Sequence, residues 1–282
     1  MIRLDHPALD PLDLDDRDGF VCEELDLGAP VTRSVSESRP RADGTTDDTA
    51  YFGARAVSVT LAVFDGREYT RRQNLDRLAA YCHPGLRPTL TYSHLSTDEP
   101  RQVTLRAEQF SAPLNSPDMT RVMVSWVVPS GRIESARANL VITRPGGGDI
   151  PGWSPPLEPP LVFPHHTSPQ ALVPVGGSVP AEWNAAIYGP ITSPTILNHT
   201  TGETLVSFPG LTIAAGDHLV VYQADRTAWL NNEPGASRYH LLDFAASSWA
   251  PLGVGGQMLE LVAESSSPPA SLWIQWRDTY LI

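Results

Sequence analysis

Three carboxylates close in sequence, Asp65, Glu68 and Asp76, offer a pair for acid and base work on a glycosidic bond. Their spacing does not fix the separation such chemistry needs, so a solvated face is the stronger account. Asp13, Asp15 and Glu24 match positions one, three and twelve of an EF-hand calcium loop. Arg17 then stands at position five, Asp18 takes the obligatory glycine, and no helical pattern flanks the loop. His165-His166 supplies half a metal site, but adjacent side chains in a Pro-rich stretch project apart. Gly146–Gly148 follow a strand pattern, yet Asp149-Ile-Pro-Gly152 does not open a helix whose positive end could hold a phosphate. Asn198-His-Thr200 is a glycosylation sequon by pattern only. There is no G-x-S-x-G, H-E-x-x-H or G-x-G-x-x-G, and all 20 basic residues are arginine. The absence of lysine excludes a P-loop, a Schiff base and a pyridoxal site. No catalytic residue, metal or cofactor is expected, and the chain does not read as an enzyme.

Arginine and tryptophan are the more informative side chains. Seventeen arginines lie in residues 1–144 and three in 145–282, against 21 and 11 acids. A GC-rich genome accounts for the missing lysines but not for this crowding. Arginine is favoured at interfaces, where its planar fork holds carboxylates. Arg33, Arg39, Arg41, Arg55, Arg71 and Arg72, with Arg77 near them, are therefore candidates for a subunit interface, set against a solvated face. Arg55 in particular is expected at a strand start facing a neighbour. Six of seven tryptophans lie beyond residue 144. Trp229 and Trp249 are candidates for a sugar-stacking platform, as are Trp273 and Trp276. The last two sit at odd separation in one strand, so they face opposite sides and one belongs to the core.

The elements that would position these groups read as mainly β. The 282 residues include 27 prolines and 21 glycines, well above ordinary usage. The two cysteines cannot build a disulfide framework. The net charge of −12 argues against non-specific nucleic-acid binding. No run is long and apolar enough to span a membrane, and the start lacks the pattern of a signal peptide, so a soluble, non-secretory chain is expected. Residues 145–170, dense in Pro and Gly, read as a linker between a first domain over 1–144 and a second over 171–282. In the first, residues 1–32 read as an acidic, irregular arm with a strand at 20–23, and 33–50 as a polar loop. The alternation of Val57, Val59, Leu61 and Val63 predicts a strand. Thr70 and Gln73 form a capping box, and Leu75, Leu78, Ala79 and Cys82 share one face, which predicts a helix over 70–82. Residues 101–107, 121–128 and 138–143 read as further strands. In the second domain strands are predicted over 185–188, 195–198, 204–208, 218–223, 227–230, 241–244, 257–263 and 271–276. That spacing suggests a β-sandwich or jelly roll. Whether 271–276 completes the second domain or returns to the first stays open.

The order of these features resembles the distal tail proteins of long-tailed, non-contractile phages, often called minor tail proteins in phages of actinobacteria. The polar run Arg39-Pro-Arg-Ala-Asp-Gly-Thr leading into the Arg55 strand, and the helix after it, are similar to that family. So are Val175-Gly-Gly-Ser-Val-Pro-Ala-Glu-Trp183, the run from Ala186 to Gly202, Ala215-Gly-Asp217, the run from Trp249 to Leu261, and the ending Trp273-Ile-Gln-Trp-Arg-Asp-Thr-Tyr-Leu-Ile282. Gly177, Val254, Gln257 and Tyr280 depart from the residues usual there. The resemblance implies an N-terminal ring-forming β domain (barrel- or sandwich-like, with one helix) and a C-terminal galectin-like β-sandwich. It implies a homo-hexameric ring in the virion. The ring would join the tail tube protein to the hub or tip protein and leave a lumen for tape measure and DNA, with no membrane insertion. Six copies would carry roughly −72, which would keep DNA from adhering to the lumen. The 33–50 loop and the acidic arm would then order only on assembly. The alternative is a carbohydrate-binding β-sandwich that recognises host wall polysaccharide.

Overall fold

The computed structural model describes residues 1–15, 19–34, 37–38, 43, 45–46, 50–93, 95, 98–113, 118–145 and 170–282. The chain divides into two compact units: Met1–Arg137 with Thr279–Ile282, and Ala138–Asp278.

The first unit contains β1 (Ile2–His6), β2 (Leu9–Asp13), β3 (Phe20–Asp26), β4 (Pro30–Arg33), β5 (Glu37–Ser38), β6 (Thr45–Thr46) and β7 (Tyr51–Val63). Helix α1 (Arg71–Tyr81) follows, then β8 (Thr89–Tyr92), β9 (Arg101–Thr104), β10 (Arg106–Ser111), β11 (Thr120–Val128) and β12 (Ile133–Ser135). One sheet runs β10-β11-β7-β3, with β4 also on β7. Val57, Val59 and Leu61 of β7 stand opposite Trp126, Val124 and Val122 of β11, all turned into one core. Helix α1 starts as the capping box predicts: Thr70 Oγ1 accepts from the Gln73 N–H, and Gln73 Oε1 accepts from the Thr70 N–H at 2.9 Å. Its buried Tyr81 hydroxyl donates to Asp10 O at 2.6 Å, tying the helix to β2.

Two expectations for this unit are corrected. Residues 1–13 are not an irregular arm: β1 and β2 form a hairpin, because Leu4, Leu12 and Leu14 are buried among the acids. Residues 101–107 are not one strand, because Leu105 is buried between β9 and β10 and the chain changes sheet there.

The second unit contains β13 (Asn139–Thr143), β14 (Gln170–Val175), β15 (Trp183–Tyr188), β16 (Ile191–Thr192), β17 (Thr195–Asn198), β18 (Glu203–Ser207) and β19 (Thr212–Ile213). It continues with β20 (His218–Tyr222), β21 (Thr227–Leu230), β22 (Gly255–Val262), β23 (Ser265–Ser266) and β24 (Ser271–Trp276). Sheets β13-β24-β15-β20-β21 and β14-β22-β17-β18 enclose a core of Trp183, Ile187, Val221, Leu259, Leu272 and Trp276 among others. This is a β-sandwich. Residues 241–244 are not a strand: Tyr239–Leu241 form a short 3₁₀ turn, and Asp243 Oδ1 accepts the N–H groups of Ala245 and Ala246.

The chain crosses between units differently from its composition. Strand β13, on the near side of the charge step, pairs along its whole length with β24 in the second unit. Strand β24 completes that unit, and β25 (Thr279–Tyr280) pairs with β12, at the edge of the sheet β2-β1-β8-β9-β12-β25 in the first unit.

Candidate functional site

Arg55 is 1 % exposed. It lies on β7, and its guanidinium donates to four backbone carbonyls of its own unit. Nε reaches Gly131 O at 3.2 Å, and Nη1 reaches Gly28 O at 3.2 Å and Leu27 O at 3.5 Å. Nη2 donates to Leu281 O, after β25. Two glycines make this possible. Gly28 (φ +53°) and Gly131 (φ +68°) adopt left-handed backbone, and a Cβ would stand 2.5 Å from Ala56 O or 2.2 Å from Gly53 O. The turns can thus close onto β7 and present carbonyls to the guanidinium. Burial lowers the Arg55 pKa from its ordinary value. The expectation that Arg55 faces a neighbouring subunit is corrected: it is an internal tie that closes two turns, at 27–28 and at 131, and the returning C-terminal residues onto one strand.

The other arginines are scattered. Arg33 is exposed on β4, opposite Tyr51. On α1, Arg72 is exposed with Asp76 at 3.8 Å, and Arg77 lies 4.2 Å from the centre of the Tyr69 ring. The N–H of Arg71 donates to Asp65 Oδ1 at 2.5 Å, so Asp65 serves the helix start. Arg39 and Arg41 lie outside the described residues. The carboxylates of the calcium pattern fall on strand and turn, Asp13 on β2 and Glu24 on β3. Arg17, Asp18, Gly146–Gly148 and His165-His166 lie outside the described residues. Among the described residues, no three His, Cys, Asp or Glu side chains gather to hold a metal.

A feature that the arginine count did not reveal lies beside Arg33. From Arg55 to Val63, β7 is paired with β11 on one side, but among the described residues 51–54 are paired with β4 alone. That stretch is a two-stranded arm, and β5 pairs with β6 further along the same excursion. Val31 and Tyr51 are each 63 % exposed on it, and Phe52 is 43 % exposed. Two strands with apolar side chains in water have little stability of their own. An apolar run at the end of the polar loop was the available signal: Ala50-Tyr-Phe-Gly53.

In the second unit Trp249 is 7 % exposed and accepts, through its carbonyl, from Gln223 Nε2 at 2.9 Å. It packs in the core, which corrects its reading as a sugar platform. Trp229 is half-buried on β21, edge-on to Tyr222 at 6.0 Å. Trp276 is core, while Trp273 faces out, with its ring 5.2 Å from Tyr188. The Asn198 side chain is buried: its Nδ2 donates to Gln257 Oε1 on β22 at 3.0 Å, and its Oδ1 accepts the Thr200 N–H at 3.0 Å, which braces the turn between β17 and β18.

No family model matches the chain, and no curated protein matches its sequence. Solved structures do. SPP1 Dit (gp 19.1), described as a paradigm of hub adsorption apparatus in phages infecting Gram-positive bacteria, matches over 100 % of both chains with TM-score 0.66 and 13 % identity. The chain has the fold of that Dit protein. A chain of the phage p2 baseplate in its activated conformation with Sr matches over 97 % of each chain, TM-score 0.53, identity 12 %. A chain of the phage P2 baseplate with Ca matches over 98 % of each, TM-score 0.51, identity 11 %. At such identities the shared property is the fold, and the match spans both units rather than one.

Proposed function

We propose that this protein is a structural component of a phage tail, located at the distal end of the tail tube. The single observation that carries this is the full-length likeness to SPP1 Dit, in which neither chain has an unmatched domain. In this account copies of the chain associate through the first unit into a six-membered ring. The ring joins the tube protein to the hub or tip protein and leaves a passage for tape measure and DNA. The arm of β4 and β7 supplies the contact: Val31 and Tyr51 on one face, with Arg33 beside Tyr51 to pair with carboxylates, and Phe52 on the other face would be buried as the arm inserts into the next copy. The acidic balance of the chain suits a passage that DNA must traverse without adhering. A carbohydrate-binding role for the second unit is compatible with this account and is supported by a different surface.

The test is the mass of the full chain in solution, with and without Phe52→Asp. The native chain should assemble as concentration rises, and the variant should remain monomeric with an unchanged circular dichroism spectrum. Assembly at the same concentration in both would overturn the role of the arm.

A further inference from the structure

The sheet β13-β24-β15-β20-β21 turns one face to the core and the other outward. The outward positions alternate with buried ones along β24, β15 and β20, and the pairing register extends the same face to Leu140 and Ile142 of β13 and to Thr227 and Trp229 of β21. They are Leu, Ile, Ser, Trp, Gln, Asn, Ala, Tyr, His, Val and Thr residues, with no Asp, Glu or Arg. A whole sheet face without formal charge is unusual on a chain carrying −12. Cross-strand register brings its aromatic residues together. Trp273 stands opposite Ala186, Ala186 opposite Val220, and Val220 opposite Trp229. Tyr188 stands beside this row, with its ring 5.1 Å from His218 at an interplanar angle of 23° and 5.2 Å from Trp273. Adjacent strands lie about 4.8 Å apart, so Trp273 and Trp229 mark a row of roughly 14 Å.

We infer that this face binds a neutral oligosaccharide or polysaccharide. The rings of Trp273, Tyr188 and Trp229 offer rigid apolar area for the C–H faces of sugar rings, at little conformational cost. Gln275, Asn184 and Ser271, on the same face, supply amide and hydroxyl groups that both donate and accept, which is what sugar hydroxyls require. Trp273 remains 39 % exposed, so a ring surface is accessible. The length of the row suits several sugar units rather than one. The absence of cations on the face, within an acidic chain, disfavours anionic polymers and selects neutral ones. This inference does not rest on the tail-hub account: a chain that assembles into rings but binds no sugar would overturn this inference alone.

The test titrates the full chain with neutral glucose, galactose and mannose hexasaccharides, and with an oligogalacturonate as the anionic counterpart. Indole N–H signals in nuclear magnetic resonance spectra report on the native protein. At least one neutral hexasaccharide should shift the Trp273 and Trp229 signals at millimolar concentration or below, and the oligogalacturonate should not. Trp273→Ala should weaken binding about tenfold or more, as loss of a stacking partner implies. Trp273→Phe should retain most of it, and Leu172→Ala, on the opposite sheet, should leave it unchanged. No shift with any neutral hexasaccharide would overturn the inference. So would preferred binding of the oligogalacturonate, or self-association that buries Trp273 against a second copy.

Discussion

In the first unit a guanidinium is drawn into the interior and three large apolar side chains are left outside. In the second, charge is kept off an entire sheet face, and aromatic rings stand there among amides and hydroxyls. Both units are antiparallel sheets packed around an aliphatic core, so the contrast lies in how each treats its polar groups. Arg55 gains four carbonyl partners in return for desolvation, and those partners come from turns and from the returning C-terminal residues. Asn198 and Gln257 pair with each other inside the second unit and need no charge. The first unit is built around a fixed charge and leaves Val31, Tyr51 and Phe52 exposed. The second is built to present a neutral one.

The strongest way to break this comparison is to remove the charge. Arg55→Met should destabilise the first unit by about 3 kcal/mol or more, because the carbonyls of Gly28, Gly131 and Leu281 lose their donor inside the fold. The second unit should unfold where it did before. Denaturant unfolding, followed by tryptophan emission, separates the two transitions, and an unshifted first transition would refute the internal tie. A smaller effect sharpens the contrast. Trp126, in the first unit, is buried with no hydrogen-bond partner for its indole nitrogen among the described residues. Trp183, in the second, donates to Ala250 O at 2.9 Å. Trp183→Phe should therefore cost about 1 kcal/mol more than Trp126→Phe, measured by the same unfolding curves.

Alkaline pH provides the gentlest probe. Burial pushes the Cys82 thiol up to about 12, and it raises Cys22, Tyr81 and Tyr92 as well, all in the first unit. The folded state keeps these protons while the unfolded chain releases them, starting with the thiols near pH 8.5. The stability they contribute is complete below that pH and is lost as pH rises toward 12. Midpoints for the first unit should fall across this range, and Cys82→Ala should flatten part of the decline.

Much of the fold is legible in the chain because its strands alternate cleanly. Val57 to Val63 and Thr70 with Gln73 fix β7 and the start of α1 by local rules alone. The β1-β2 hairpin is hidden because three leucines must outweigh a run of acids. Arg55 is misjudged for a different reason. Its partners stand 27 to 226 residues away, and nothing local distinguishes a guanidinium that finds carbonyls from one that finds solvent. Two tryptophans that the sequence reads alike part company: Trp249 is covered by Tyr239 and its own turn, whereas Trp273 keeps the outward side of β24 that its odd separation from Trp276 allows. The uncharged face is written in the sequence, but only register reveals that these positions are neighbours.

Electron microscopy of the full chain, at concentrations where its mass in solution begins to rise, tests the tail-hub account most directly. The account predicts closed rings of six copies around a central hole, with the first unit lining it and the second outside. A chain that stays monomeric at every concentration, alone and mixed with its tail tube protein, would contradict it.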